Sequence, residues 1–143
     1  MDAKILCSFS GISQNEITNN LNLAKSTLEK KGFSVQTQLT EERALNSGAS
    51  FLVYSHDSDS INGADELFDS QNKSNFGKTA TSAFASSNFG VDANLSDMLV
   101  TPLGLSKEIS IFTVPQISKH LETNLYITSK ITGCKYGVGK INS

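Results

Sequence analysis

The sequence predicts an α+β protein in two pieces, and three observations carry that expectation. Alternating β-type stretches recur through the first part of the chain, a strongly signalled amphipathic helix sits between the first two of them, and a second half that opens with a helical pattern begins near Ser74. Residues 1–90 read as a small βαβββ-type domain with a helix packed on a sheet. Residues 91–143 read as a following α-β-α-β segment.

"AKILCSFS" alternates as a strand, with Ile5, Cys7 and Phe9 on one face. Ser13 and Glu16 then supply the S-x-x-E capping pattern, and Ile12 is placed to staple against Ile17. Ile17, Leu21, Ala24 and Leu28 form an apolar helical stripe, which Gly32 closes. "FSVQTQLT" alternates through Phe33, Val35, Thr37 and Leu39 as a half-buried strand. "SFLVYSH" is a more continuous β-type run, and "INGADELF" supplies a further strand after a turn.

Phe76, Ala80, Ala83 and Phe84 lie at helical spacing, and "SSNFG" ends that helix. Asp92 can cap a short helix carrying Leu95, Met98 and Leu99, which Pro102 and Gly104 disrupt or end. "EISIFTV" alternates as a strand, a helix follows from about Ser118 to Thr132 and stops at Gly133, and "CKYGVGKIN" reads as a final strand.

At 143 residues and 38% apolar composition, with no run suited to spanning a bilayer, the expectation is a soluble, cytoplasmic protein without a membrane partner. The start "MDAKILCSFS" lacks the basic and apolar regions of a secretory signal. Cys7 and Cys134 have no CxxC spacing and are expected as reduced thiols. A net charge of −2 does not advertise nucleic-acid binding by bulk electrostatics. Arg43 is the sole arginine among twelve basic residues, so any grip on phosphate must come from backbone, lysine, metal or another chain.

Three motif-like stretches are discounted. "DSDSINGADE" places Ile61 and Asn62 where a calcium loop needs a ligand and a turn glycine, so a solvated hairpin loop is expected. "GVGK", Gly137 to Lys140, lacks the spacing and the hydroxyl residue of a phosphate-binding loop. His56 with Asp57 and Asp59 nearby is one histidine beside two loop carboxylates, not a metal set.

The chemistry centres on "SKHLETNL". With Ser118 as N-cap, His120 is the second helical residue. Unpaired N–H groups and the positive end of the macrodipole disfavour a proton on an imidazole there. A neutral ring keeps the lone pair a nucleophile needs, and the same N–H groups welcome a phosphate oxygen. Thr123 and Asn124 follow three and four residues later and share that face, where they would orient the ring or a phosphate. The competing reading makes His120 a partly buried spectator beside a core stripe of Ile117, Leu121 and Leu125.

"VDANLSDMLVTPLGLSKEISIFTVPQISKHLETNLYI", Val91 to Ile127, resembles the C-terminal part of the RNA 3'-terminal phosphate cyclase family. The family shows a D-x-x-L-x-D-Q-L helix, an F-T-V strand and an H-x-x-T-N helix start. The matching residues are Asp92, Leu95, Asp97 and Leu99, then Phe112, Thr113 and Val114, then His120, Thr123 and Asn124. Upstream, Gly63, Ala64 and Leu67 are similar to the family's G-A-x-x-L-G strand, and Gly77 to the internal glycine of the next helix. The β-α-β-β opening fits the small domain inserted in these enzymes. The resemblance implies an insert-like domain at 1–90 and a C-terminal segment of the cyclase catalytic domain at 91–143.

The resemblance further implies that His120 takes AMP from ATP, releasing pyrophosphate. The adenylyl group then passes to an RNA 3'-phosphate, whose neighbouring 2'-hydroxyl closes a 2',3'-cyclic phosphate. It implies ATP and a divalent metal, magnesium or manganese, as cofactors. RNA ending in a 3'-phosphate is the implied partner, and Asp97, Met98, Thr123 and Asn124 occupy the nucleotide-binding positions. Met98 stands where the family typically has glutamine, and Asn94 where it is often aromatic. Family members are far longer and carry most of their phosphate-gripping arginines nearer the N-terminus. The expectation is therefore a chain inactive or nearly so without that N-terminal half, its 91–143 lobe exposing apolar surface to that half or to a second copy. The alternative is a non-catalytic, cyclase-like RNA-binding or ribosome-assembly factor.

Overall fold

The computed structural model describes residues 1–56, 61–86 and 90–140. The chain divides into two compact units, Met1–Gly90 and Val91–Ser143. Among the described residues it combines four α-helices with one four-stranded mixed sheet, an α+β fold.

In the first unit, β1 (Asp2–Ser10), α1 (Gln14–Glu29), β2 (Ser34–Glu41), β3 (Gly48–His56), β4 (Ile61–Leu67) and α2 (Lys78–Ser86) follow in the expected order. The sheet order is β2-β1-β3-β4. β1 runs parallel to β2, with Ile5 opposite Thr37, and antiparallel to β3, with Ile5 opposite Val53. β3 and β4 form an antiparallel pair with Val53 opposite Ala64. A parallel pair cannot be joined by a tight turn, so α1 serves as the crossover between β1 and β2.

One face of this sheet is buried. Ala3, Ile5, Cys7 and Phe9 of β1 meet Phe51 and Val53 of β3 and the Ile17, Leu21, Ala24 and Leu28 stripe of α1. Alternation in the sequence follows directly from this one-sided burial, because side chains two apart on a strand share a face. Phe76, Ala80 and Phe84 complete the core from α2 and the segment before it. Phe76 lies edge-on to Phe51 and to Phe68, with ring centroids 5.9 and 5.4 Å apart.

Several local expectations need correcting. Ser13 is the N-cap of α1, but its side chain makes no capping bond, so the Ser13–Glu16 box is not formed. Ser13 is exposed, and water competes for the same donors. Gly77 does not lie inside a helix; it precedes α2 at φ +82°, and its carbonyl accepts both the N–H and the hydroxyl of Thr81. Ala83 is exposed, and Thr81 takes the buried position. His56 ends β3 as an exposed residue opposite Ile61. The connecting residues 57–60, with Asp57 and Asp59 and the expected hairpin loop, lie outside the described residues.

In the second unit, Asp92 caps α3 (Ala93–Leu105) by accepting from the N–H groups of Asn94 and Leu95, both at 2.9 Å. The helix does not stop at Pro102 but continues through it to Leu105. Two residues on, a Cβ at Gly104 would fall on Thr128, so its bare Cα lets the next helix approach closely. The buried face also differs from the expected one. Ser96 and Val100 are buried, while Leu95 and Leu99 are half-buried and Met98 is 73% exposed.

The expected helix at 118–132 is α4 (Lys119–Thr132), closed by Gly133 in the left-handed region at φ +77°. Among the described residues the two expected strands of this unit are not formed; the last residues of "CKYGVGKIN", 141 and 142, lie outside them. "EISIFTV" is irregular backbone; Val91 N–H donates to Thr113 O at 3.0 Å and Glu108 N–H to Ser106 Oγ at 3.1 Å, and Ile109 and Ile111 are 93% and 91% exposed. Residues 133–140, including "GVGK", also carry no strand. Strand propensity is realised only against a hydrogen-bonding neighbour, and among the described residues the unit supplies none for these segments.

Candidate functional site

The geometry of the second unit gathers around the start of α4. Ser118 has extended backbone, φ −75° and ψ 159°, and its Oγ accepts from Leu121 N–H at 2.9 Å. Its carbonyl accepts from Glu122 N–H at 3.0 Å. Leu121, only 3% exposed, anchors the first turn in the hydrocarbon interior. The backbone N–H groups of Lys119 and His120 find no acceptor among the described residues, so two donors face outward at the positive end of the helix.

His120 is the second residue of α4 and is exposed. Among the described residues its ring makes no hydrogen bond. The partly buried placement expected of a spectator is not what is seen: Leu121 is buried, but Ile117 is 46% exposed and His120 is exposed. An imidazole so placed is open to a ligand, with two amide donors of its own helix turn beside it.

The remaining candidates differ in how they are committed. Asp97 is half-buried in α3, and its Oδ1 accepts the Ser118 hydroxyl at 3.2 Å. Asn124 is also half-buried, and its Nδ2 donates to the Asp97 carbonyl at 3.3 Å. Thr123 is exposed, and its hydroxyl donates to Lys119 O at 2.7 Å, within its own helix. Neither Thr123 nor Asn124 bonds the His120 ring. Met98 is exposed on α3 and unengaged.

Ser118 is the residue that sequence reasoning undervalued. Its capping role was legible from its place before the helix, but its bond to Asp97 spans 21 residues, and no local pattern signals that. Among the described residues no group of three or more His, Cys, Asp or Glu side chains is placed to hold a metal ion. A groove of about 640 Å³ lies in the first unit, lined by residues including Glu66, Asn72, Lys78 and Thr79; it does not involve His120. Cys7 and Cys134 are free thiols, and among the described residues no helix is long and apolar enough to cross a membrane.

Comparison with known proteins adds to this geometry. A family model described as RNA 3'-terminal phosphate cyclase matches residues 9–138. An RNA 3'-terminal phosphate cyclase of Methanococcoides burtonii is 42% identical to the chain over 52 residues. That stretch covers 36% of the chain and 15% of the relative.

Proposed function

The chain belongs to the RNA 3'-terminal phosphate cyclase family, and from that premise we propose that it carries the nucleophilic histidine of an ATP-dependent RNA 3'-phosphate cyclase. The observation that supports this reading best is His120 itself. The ring is exposed at the second position of α4, beside two unbonded amide N–H groups.

The proposed chemistry runs in three displacements. A lone pair on the His120 ring attacks the α-phosphorus of ATP, forming a nitrogen–phosphorus bond as the bond to pyrophosphate breaks. An oxygen of the RNA 3'-phosphate attacks the same phosphorus, and the ring recovers its electron pair. The 2'-hydroxyl oxygen then attacks the 3'-phosphorus, losing its proton, and AMP departs to leave the 2',3'-cyclic phosphate. Activation is needed because a phosphate dianion repels nucleophiles and has no good leaving group; AMP becomes one. The free Lys119 and His120 amides and the macrodipole would steady the α-phosphate oxygens.

Asp97, Met98, Thr123 and Asn124 would flank the nucleotide, with Met98 offering a thioether in place of the family's amide. A divalent ion, magnesium or manganese, would accompany ATP and neutralise its phosphates; among the described residues no group of three or more His, Cys, Asp or Glu side chains is placed to hold it. Catalysis would need the further cyclase segments that supply arginines, because Arg43 is the only one present. The N-terminal half of a cyclase is the proposed partner, with a second copy of this chain as the other occupant of the apolar lobe.

The test mixes the chain with the N-terminal half of a full-length cyclase and ATP labelled at the α-phosphorus. Label should appear on the wild-type chain as an acid-labile phosphoramidate and should vanish in His120→Ala. Labelling of that variant would overturn the assignment. Met98 in place of the family's glutamine favours a second reading, a non-catalytic cyclase-like protein that binds RNA or ribosomal partners; that reading expects RNA binding with no labelling of the wild type.

A further inference from the structure

We propose that Ser118 is a positioning residue for His120, coupling the nucleophile's helix to Asp97 on α3; this rests on the cyclase reading above. A serine hydroxyl has one hydrogen to donate and lone pairs to accept with. At Ser118 both capacities are used, since Oγ accepts from Leu121 N–H at 2.9 Å and donates to Asp97 Oδ1 at 3.2 Å. Donation to a carboxylate polarises the hydroxyl and strengthens it as an acceptor for the amide. The carboxylate therefore reaches the helix start through the hydroxyl and takes neither of the two outward amides.

A second tie reinforces the first. Asn124 Nδ2 donates to the backbone carbonyl of the same Asp97 at 3.3 Å. One residue of α3 thus holds α4 on both sides of His120, two residues before it and four after it. Between these ties Leu121 is buried while the His120 side chain is free of bonds. Such an arrangement fixes where the helix turn points and leaves the ring open. Ser118 acts on the reaction through the aim of His120 and of the Lys119 and His120 amides, without touching the nucleotide.

The experiment has two arms, each with wild type, Ser118→Ala, Ser118→Thr, Asp97→Ala and the Ser118→Ala/Asp97→Ala double variant, all checked for helix content by circular dichroism. In nuclear magnetic resonance of the 143-residue chain, loss of the cap should speed exchange of the Leu121 amide about fivefold and shift the His120 ring signals. Asp97→Ala should move the same signals, Ser118→Thr should restore them, and the double variant should add little to either single change. In the labelling reaction with the N-terminal half, Ser118→Ala should slow adenylylation about tenfold with the KM for ATP nearly unchanged, and Ser118→Thr should recover the rate. Wild-type adenylylation rates in Ser118→Ala, or His120 and Leu121 signals indifferent to Asp97→Ala, would overturn the proposal. If the wild type takes no label, the cyclase reading falls, while the resonance arm still decides whether Ser118 and Asp97 jointly aim His120.

Discussion

Glu66 Oε2, near the end of β4, accepts the backbone N–H of Thr79 at 3.0 Å and that of Ala80 at 3.2 Å, so a strand residue caps the start of α2. Its other oxygen accepts Asn72 Nδ2 at 3.0 Å. A carboxylate at a helix start satisfies orphan donors and meets the positive end of the macrodipole. Replacing Glu66 by alanine should lower the stability of the first unit by about 1–2 kcal/mol. Glu66→Gln should lose less, because its amide oxygen still accepts. Urea unfolding followed by circular dichroism measures both.

Gly77 answers to two constraints at once. Its φ of +82° disfavours any side chain, and a Cβ would stand 2.6 Å from Phe51 Cε2 in the core. Gly77→Ala should therefore destabilise the first unit by about 2–3 kcal/mol, read as a lower urea midpoint with the slope unchanged.

Burial raises the Cys7 thiol from an ordinary 9.0 to about 11, because the core disfavours a thiolate. Between about 9 and 11 the unfolded chain releases this proton while the folded chain keeps it, so Cys7 makes stability fall as pH rises through that window. Cys7→Ala should flatten that fall, although it leaves a small cavity. At pH 8 a thiol reagent should modify half-buried Cys134 well before buried Cys7. Peptide mapping after timed labelling tests the order.

Ile109 and Ile111 sit almost fully in solvent, and Leu105, Ile131 and Met98 are also exposed in the same unit. Apolar surface on this scale promotes association. Ile109→Lys with Ile111→Lys should reduce concentration-dependent light scattering and change thermal stability little, since neither side chain packs in the folded chain. An equal loss of stability and of scattering would contradict this.

The first unit was legible because its signals are local. Ile5, Cys7 and Phe9, and the Ile17–Leu28 stripe, carry their period in neighbouring residues, and burial on one face enforces it. The second unit was less so. Ile109 and Ile111 alternate as in a strand, yet alternation cannot supply the neighbour that a strand requires. Pro102 signals a break, yet α3 runs through it to Leu105, and the close approach of Gly104 to Thr128 joins residues 24 apart in a way no local pattern announces. At the candidate site His120 and its helix position were readable, while the Ser118–Asp97 bond depends on how two helices meet.

The place of β1 in its sheet has a kinetic consequence. It precedes both strands that flank it, β2 on one side and β3 on the other. As the polypeptide emerges from a ribosome, Leu6 must wait until Leu52, its opposite number on β3, has been synthesised before the sheet can close. Until then α1 can form by itself, but β1 and β2 make at most an unsupported pair, because β3 and the β4 that follows it are not yet available to complete the sheet. Nascent chains stalled before Gly48 should therefore be cut readily by protease within β1, whereas chains released beyond Ser86 should resist.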